Sequence, residues 1–403
     1  MLANPSVIWS YLRPYGYSYF LFLFPMSPVF ALLSKSVENL TLPMASLDPR
    51  LNPGAQWGIT VVPGLLFDFL VKLPLIVSDI AVAMIVYKLT YRLSHVREMA
   101  TSAAALWFLN PFVIWVSAAW GMFDTLPALF TILAAYLAMT RRLTYSAVAL
   151  AVAIALKYYA VVLVFPLLVM AWRIGGRREL AKAATVFFVS TAILFAPSLT
   201  KSGAAVVELS SSPALSSTSY SGLSILTAVT LFATTNVALF STSMVTGSLL
   251  LVYYGIVHRS KVMKASDIIA YFGISLLPLL LFYSYVGENF LIWVLPFGAI
   301  LASDDSITRR LYWALSLVGL TSSVTDSLLP YYLLPVSPWI GGLLVLILQL
   351  AGPYRVAHSG TMARGISTGK LALVSFSLSS FLILFALLLR WFRSLGEGRP
   401  VRD

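Results

Sequence analysis

The chain has 403 residues, 59% apolar and 10% charged, with a mean hydropathy of +0.88. This excludes a soluble globular domain, in which about a quarter of residues are charged, and a disordered chain. The net charge of +12 falls between apolar runs, so it marks membrane-flanking loops rather than a nucleic-acid surface, and the absence of cysteine excludes a disulfide framework or a thiolate metal site.

The apolar runs are continuous rather than alternating, so they predict an all-α integral membrane protein and not a barrel. The expectation is one polytopic domain over 1–403, a bundle of about 10–13 transmembrane helices with interfacial helices in its outer loops. Spans are expected near 17–34, 73–91, 101–118, 121–139, 143–156, 158–172, 183–199, 237–257, 267–285, 289–303, 311–325, 331–350 and 371–389. Residues 35–72 form an outer loop ending in an interfacial or re-entrant helix, and the Ser/Thr-rich 200–235 a second one. The N-terminus lacks the pattern of a cleaved signal.

Basic loops orient the spans. Arg92 and Arg97, Arg141 and Arg142, the cluster Arg173 to Lys182, Arg259 to Lys264, Arg309 and Arg310, and Arg355 to Lys370 are expected in the cytoplasm. Alternation then places Arg390, Arg393, Arg399 and Arg402 outside, against the same rule. Either the last helix does not cross fully or one earlier span is miscounted.

Ionisable groups in or beside spans cost about 2.5–3.5 kcal/mol each on insertion scales, so they call for a reason. Asp79, Asp124, Lys157, Glu288 and Asp326 all fall at or near the outer ends of spans. Each also has a plainer reading. Asp79 suits an interhelical hydrogen bond, Asp124 a helix cap, Lys157 a snorkelling cation and Asp326 a solvated loop end. Asp68 and Lys72 suit an i, i+4 pair. The tandem Asp304-Asp305 before Arg309-Arg310 reads as a charge-balanced turn. Trp57, Trp120, Tyr158, Tyr159, Tyr283, Tyr285 and Trp293 suit stacking on sugar rings or an ordinary interfacial belt. Three scattered histidines make no metal cluster, and Asn39-Leu-Thr41 matches an N-glycosylation acceptor. The chain shows no inverted repeat of the transporter kind.

Four segments in order carry a resemblance: Lys72-Leu-Pro-Leu-Ile-Val-Ser-Asp79; Asn110-Pro111 through Ser117 to Trp120-Gly-Met-Phe-Asp124; Lys157 with Pro166 beyond it; and Glu288-Asn-Phe-Leu-Ile-Trp-Val-Leu-Pro296. Together these resemble polytopic C-type glycosyltransferases that use polyprenyl-phosphate sugars, in particular archaeal mannosyltransferase-like proteins and the GPI mannosyltransferase I group. Met122 stands where that family usually has Gln.

The resemblance implies an inverting hexosyltransferase, most simply a mannosyltransferase. Its donor would be a polyprenyl or dolichyl phosphate sugar, its acceptor a lipid-linked or surface glycan, and its site on the non-cytoplasmic face of a cell or endoplasmic-reticulum membrane. It implies substrate-binding roles for Asp79, Trp120, Asp124, Lys157, Glu288 and Asn289, with Lys157 on the phosphate. Some members use a divalent cation; no Asp-x-Asp lies in the outer loop here, so no metal ligand is assigned. The family's first-loop Asp, its presumed general base, has no counterpart. Three explanations stay open: a start upstream of Met1 with a further helix, Asp48 as fallback base, or an inactive copy acting with a partner subunit. A transporter or lipid flippase is the other functional class the same acids and lysine suit.

Overall fold

The computed structural model describes residues 42–43, 61–62, 65–200, 237–259, 265–283, 287–323 and 368–394. These are almost wholly helical. A two-residue antiparallel pairing, Leu42–Pro43 (β1) with Val61–Val62 (β2), is the exception. The chain divides into two compact units, 1–74 with 320–376 and 75–319 with 377–403. The ion pairs and the side-chain cluster described below lie in the second unit. The expected spans 17–34 and 331–350 lie outside the described residues.

Helix α1, Leu65–Ser94, runs about 45 Å without a break through Pro74, so residues 65–72 belong to the same helix as the following span. Ser94 ends it: its hydroxyl donates to the Thr90 carbonyl at 2.9 Å and accepts from the Val96 amide at 3.2 Å. Helix α2, Arg97–Phe108, meets α3, Pro111–Ile114, at a 41° bend. The bend follows from Pro111, which supplies no amide to continue α2, and from Asn110, whose Oδ1 caps the Phe112 amide at 2.9 Å. The Asn110 amide donates to the Tyr312 hydroxyl at 2.9 Å and to Ser316 at 2.8 Å, so the bend is fixed with every polar atom of that side chain used. A π turn, Trp115–Trp120, follows and ends at Gly121, whose φ of 77° suits glycine.

Helices α4, Thr125–Met139, and α5, Leu143–Leu156, form an antiparallel hairpin. Their facing sides are alanine-rich: Ala134, Ala135, Ala138, Ala147 and Ala151 have no exposed surface. Small side chains let the two backbones approach closely, as membrane helices require. The Ser146 hydroxyl crosses the gap to the Ala134 carbonyl at 2.7 Å. A 3₁₀ segment, Tyr158–Leu163, leads into α6, Val164–Thr200, which breaks at Gly175–Gly176, with Gly176 at φ 64°. Then come α7, Val237–Arg259, and α8, Ala265–Phe282. A second 3₁₀ segment, Glu288–Trp293, is followed by α9, Leu295–Ala302, α10, Ser306–Ser323, and α11, Thr368–Ser394.

Four of the described helical stretches are long and apolar enough to cross a membrane: Lys72–Ser94, Tyr158–Ala196, Phe240–His258 and Ser375–Arg393. The bent pair Arg97–Phe108 with Pro111–Ala119 makes a fifth if it is one span. Three further apolar helices, Thr125–Met139, Leu143–Leu156 and Asp267–Phe282, are shorter. The run 289–303, read from sequence as one span, is instead a 3₁₀ segment joined to an eight-residue helix.

Asp305 does more than balance a charged turn. It accepts from the Thr308 amide at 3.1 Å, capping α10, and takes a two-pronged bond from Arg390 of α11, at 2.9 Å from Nε and 3.0 Å from Nη2. Arg390 therefore lies at the same end of the bundle as Arg309 and Arg310. The contact sides with the rule for basic residues against the alternation count, because parity counted over unequal apolar runs is weaker than a direct contact. Burial opposes the charged form of Asp305, but the Arg390 and Thr308 hydrogen bonds outweigh it and hold the carboxyl well below the usual carboxylate range. A depressed folded value stabilises fully above about pH 4 and loses that stabilisation as pH falls further. Arg390→Ala is expected to cost about 1–2 kcal/mol near neutral pH, since the guanidinium is partly exposed. In detergent denaturation series the gap to the wild type should narrow in acid. A gap that stays constant down to about pH 3 contradicts the pair's contribution.

Candidate functional site

The α4–α5 hairpin brings Asp124 and Lys157 together. From the Ser146–Ala134 crossing, Lys157 lies 11 residues on along the chain and Asp124 10 residues back. Each is therefore about 15–17 Å up its helix from the crossing. Both emerge at the end away from Arg141 and Arg142 in the hairpin turn. The Lys157 ammonium donates to Asp124 Oδ1 at 2.5 Å.

The second 3₁₀ segment completes the cluster. Asn289 donates its amide to Asp124 Oδ2 at 2.5 Å, and the Trp293 indole N–H donates to Oδ1 at 2.7 Å. Three donors from two separate stretches of chain converge on one carboxylate that has no exposed surface. This is what a charge buried in an apolar bundle needs. The three-residue turn of a 3₁₀ helix eclipses positions i and i+3, so Phe290 stacks on Trp293 with centroids 4.2 Å apart. Tyr159 stacks on the same indole at 3.8 Å, nearly parallel. The two contacts fix the indole with its N–H toward Asp124. Phe123, Phe290 and Trp293 present ring faces to the Lys157 ammonium at 5.1, 4.5 and 5.4 Å, a cation–π enclosure. The lysine side chain keeps 16% of its surface exposed, against 1% for Asp124. That exposure belongs to the lysine side chain as a whole; its ammonium is turned inward onto Asp124.

Asp124 holds the N-cap position of α4, as its place in the sequence suggests, but its side chain does other work. Its carboxyl makes no capping bond to α4; the three donors hold both oxygens. Lys157 does not simply snorkel, since its ammonium is turned into the bundle onto Asp124.

Asp79 sits elsewhere. The Arg92 guanidinium lies over the Tyr136 ring at 5.6 Å. Counting from there, Asp79 is 13 residues along α1 and Asp124 12 along α4, so both acids lie at about the same depth, roughly 18–20 Å from that contact. Asp79 nevertheless has its own surroundings. Its carbonyl accepts from the Trp107 indole at 3.2 Å, and its Oδ1 has no hydrogen-bond partner. It is buried and makes no hydrogen bond to Asp124 or Lys157.

Of the residues singled out from sequence, Asp124, Lys157 and Asn289 meet and Asp79 stands apart. Trp120 closes the π turn and Glu288 opens the second 3₁₀ segment, with their side chains outside the described residues, as are Asp48 and Asp326. Trp293 was not expected as a ligand of Asp124. Its signal was its spacing, four residues after Asn289 at the head of an apolar run. Among the described residues no three of His, Cys, Asp and Glu gather as metal ligands. No family model matches the sequence, and no curated protein sequence is significantly similar to it.

Proposed function

We propose that the protein is an inverting, membrane-integral glycosyltransferase that moves a hexose, mannose in the first instance, from a polyprenyl or dolichyl phosphate sugar to a lipid-linked or surface glycan. The observation that carries this reading is the Asp124–Lys157–Asn289–Trp293 cluster. It presents an oriented ammonium at one end of an apolar bundle, where a lipid-borne phosphate can meet it. The bases of the hairpin turn, Arg141 and Arg142, lie at the other end, so the positive-inside rule puts the cluster on the non-cytoplasmic face.

In the reaction, the acceptor hydroxyl oxygen bonds to the anomeric carbon. The bond from that carbon to the donor phosphate oxygen breaks, and its electron pair stays on the phosphate. The hydroxyl proton passes to a carboxylate. Lys157 stabilises the charge that grows on the departing lipid phosphate. Asp124, with three donors on it, positions Lys157 and is not free to take the proton. Asp48 remains the fallback base. The saturation of Asp124 also favours one second reading, in which a partner subunit supplies the base.

The test uses membranes containing the overproduced protein and radiolabelled sugar donors. Label should pass from polyprenyl-phosphate hexose to a lipid-linked acceptor. Label that moves only from a nucleotide sugar, with synthesis of the lipid-linked donor blocked, overturns the proposal, as does uptake of an intact lipid without cleavage.

A further inference from the structure

Helices α1 and α2 leave an open groove of about 340 Å³ between them. Its α1 side is the stripe Ile80, Ala83, Met84, Tyr87 and Lys88, spaced i, i+3, i+4, i+7 and i+8, which is one face of a helix. Its α2 side is Ala104 and Phe108, one turn apart. The two alanines leave room between larger neighbours, and those neighbours stand open: Ile80 is 44%, Met84 56% and Phe108 43% exposed.

The groove carries charge at one end only. Its lining is aliphatic or aromatic up to Lys88, which stands toward the turn between α1 and α2. Arg92, one helical turn further on, is exposed, as is Arg97 beyond the turn. The contact of the Arg92 guanidinium with the Tyr136 ring brings Arg141 and Arg142 to the same end. Glu98 is the one acid in residues 84–100 and 136–146. Aromatic rings mark the same level. Tyr87 stacks on Tyr91, with centroids 6.3 Å apart and planes 9° from parallel, and Tyr91 meets His95 edge-on at 6.4 Å. Tyrosines beside basic residues are the pattern of a membrane's headgroup region.

Depth and charge select the occupant. From Lys88 to Ile80 is eight residues of helix, about 12 Å, and one leaflet of hydrocarbon is about 15 Å, half of the ~30 Å core. A spanning helix of a partner would need a groove through both leaflets. An acyl chain needs only one, and the bases at its mouth call for an anionic headgroup.

We propose that the α1–α2 groove binds an acyl chain of an anionic phospholipid whose phosphate-bearing headgroup sits against Lys88 and Arg92. The positive-inside rule assigns that lipid to the cytoplasmic leaflet. The site lies at the opposite end of the bundle from Lys157, and it is independent of the sugar chemistry proposed there.

The test follows lipid binding to the purified, delipidated full chain by native mass spectrometry, with dioleoyl phosphatidylglycerol against dioleoyl phosphatidylcholine. The wild type should bind the anionic lipid about tenfold more tightly or better. Lys88→Gln should lower that affinity about fivefold, the share of one base near a membrane surface. Lys182→Gln, at an exposed base outside the groove, should leave it unchanged. Ala83→Phe fills the groove and should weaken binding of both lipids, and Ala104→Leu gives an independent obstruction from the α2 side. Equal affinity for the two lipids in the wild type overturns the proposal. So does equal loss in Lys88→Gln and Lys182→Gln, because the anion then responds to net charge and not to a site. Binding unchanged in both Ala83→Phe and Ala104→Leu removes the groove from it. A dimer that Ala83→Phe converts to monomer gives the groove to a second copy and overturns it as well.

Discussion

Lys157→Met is expected to reduce hexose transfer by about two to three orders of magnitude while leaving the protein folded. The size follows from removing a preorganised positive group from a phosphate that gains charge in the transition state, an effect worth about 3–4 kcal/mol where water is excluded. The variant is expected to fold with a lowered melting temperature, since the buried Asp124 carboxylate loses its cation but keeps Asn289 and Trp293 as donors, and the methionine stem keeps contact with the ring faces of Phe123 and Phe290 that now enclose the ammonium. Since the phosphate charge grows along the reaction, kcat should fall more than the donor KM rises. Lys157→Arg should restore little: the planar fork differs in shape from the compact ammonium held over three rings. Transfer assays in proteoliposomes, paired with thermal melts in detergent, check this. Turnover close to wild type in Lys157→Met removes the lysine from the chemistry.

Asp124→Val is expected to show the opposite balance, a large loss of stability in addition to lost activity. Removing this one carboxylate strands three donors at once, the Lys157 ammonium, the Asn289 amide and the Trp293 indole N–H. Breaking one side of a buried ion pair costs about 3–5 kcal/mol, because the remaining charge has lost its partner without regaining water. Replacing both members by apolar side chains costs far less. The double variant Asp124→Val with Lys157→Met should therefore recover most of the stability lost in Asp124→Val and none of the transfer. Denaturation of the four proteins in one detergent measures this as a coupling energy. Additive losses would show that the two residues do not act as a pair.

Much of this arrangement was legible in the sequence, and the reasons differ by residue. Asp124 and Lys157 flank two apolar helices of nearly equal length joined by a turn of three residues. A hairpin of that kind returns its second helix to the level where the first began, so their meeting follows from counting. Asn289 stood out through its position at the head of an apolar run. Trp293 did not, because an indole beside a membrane has a default reading at the interface, and only the turn geometry of the 3₁₀ segment turns its N–H inward. Asp79 shows the limit from the other side. Its depth along α1 matches that of Asp124, but depth does not fix azimuth, and its backbone carbonyl meets Trp107. The Asp305–Arg390 bond joins residues 85 positions apart; no local pattern announces such a contact, and the charge-balanced reading of Asp304 to Arg310 was complete without it. The break of α6 at Gly175–Gly176, by contrast, falls within the basic loop expected between the spans 158–172 and 183–199.

The proposed function requires that this chain, with Lys157 against the phosphate, cleave a sugar from a lipid phosphate. The most direct measurement follows purified protein, reconstituted with no other polypeptide, acting on hexosyl polyprenyl phosphate and a glycan acceptor, by phosphorus NMR. The predicted result is conversion of the donor's phosphodiester to polyprenyl monophosphate by the wild type, and a phosphodiester left unchanged by Lys157→Met. A donor that stays intact with the wild-type protein, or turns over equally with both, contradicts it.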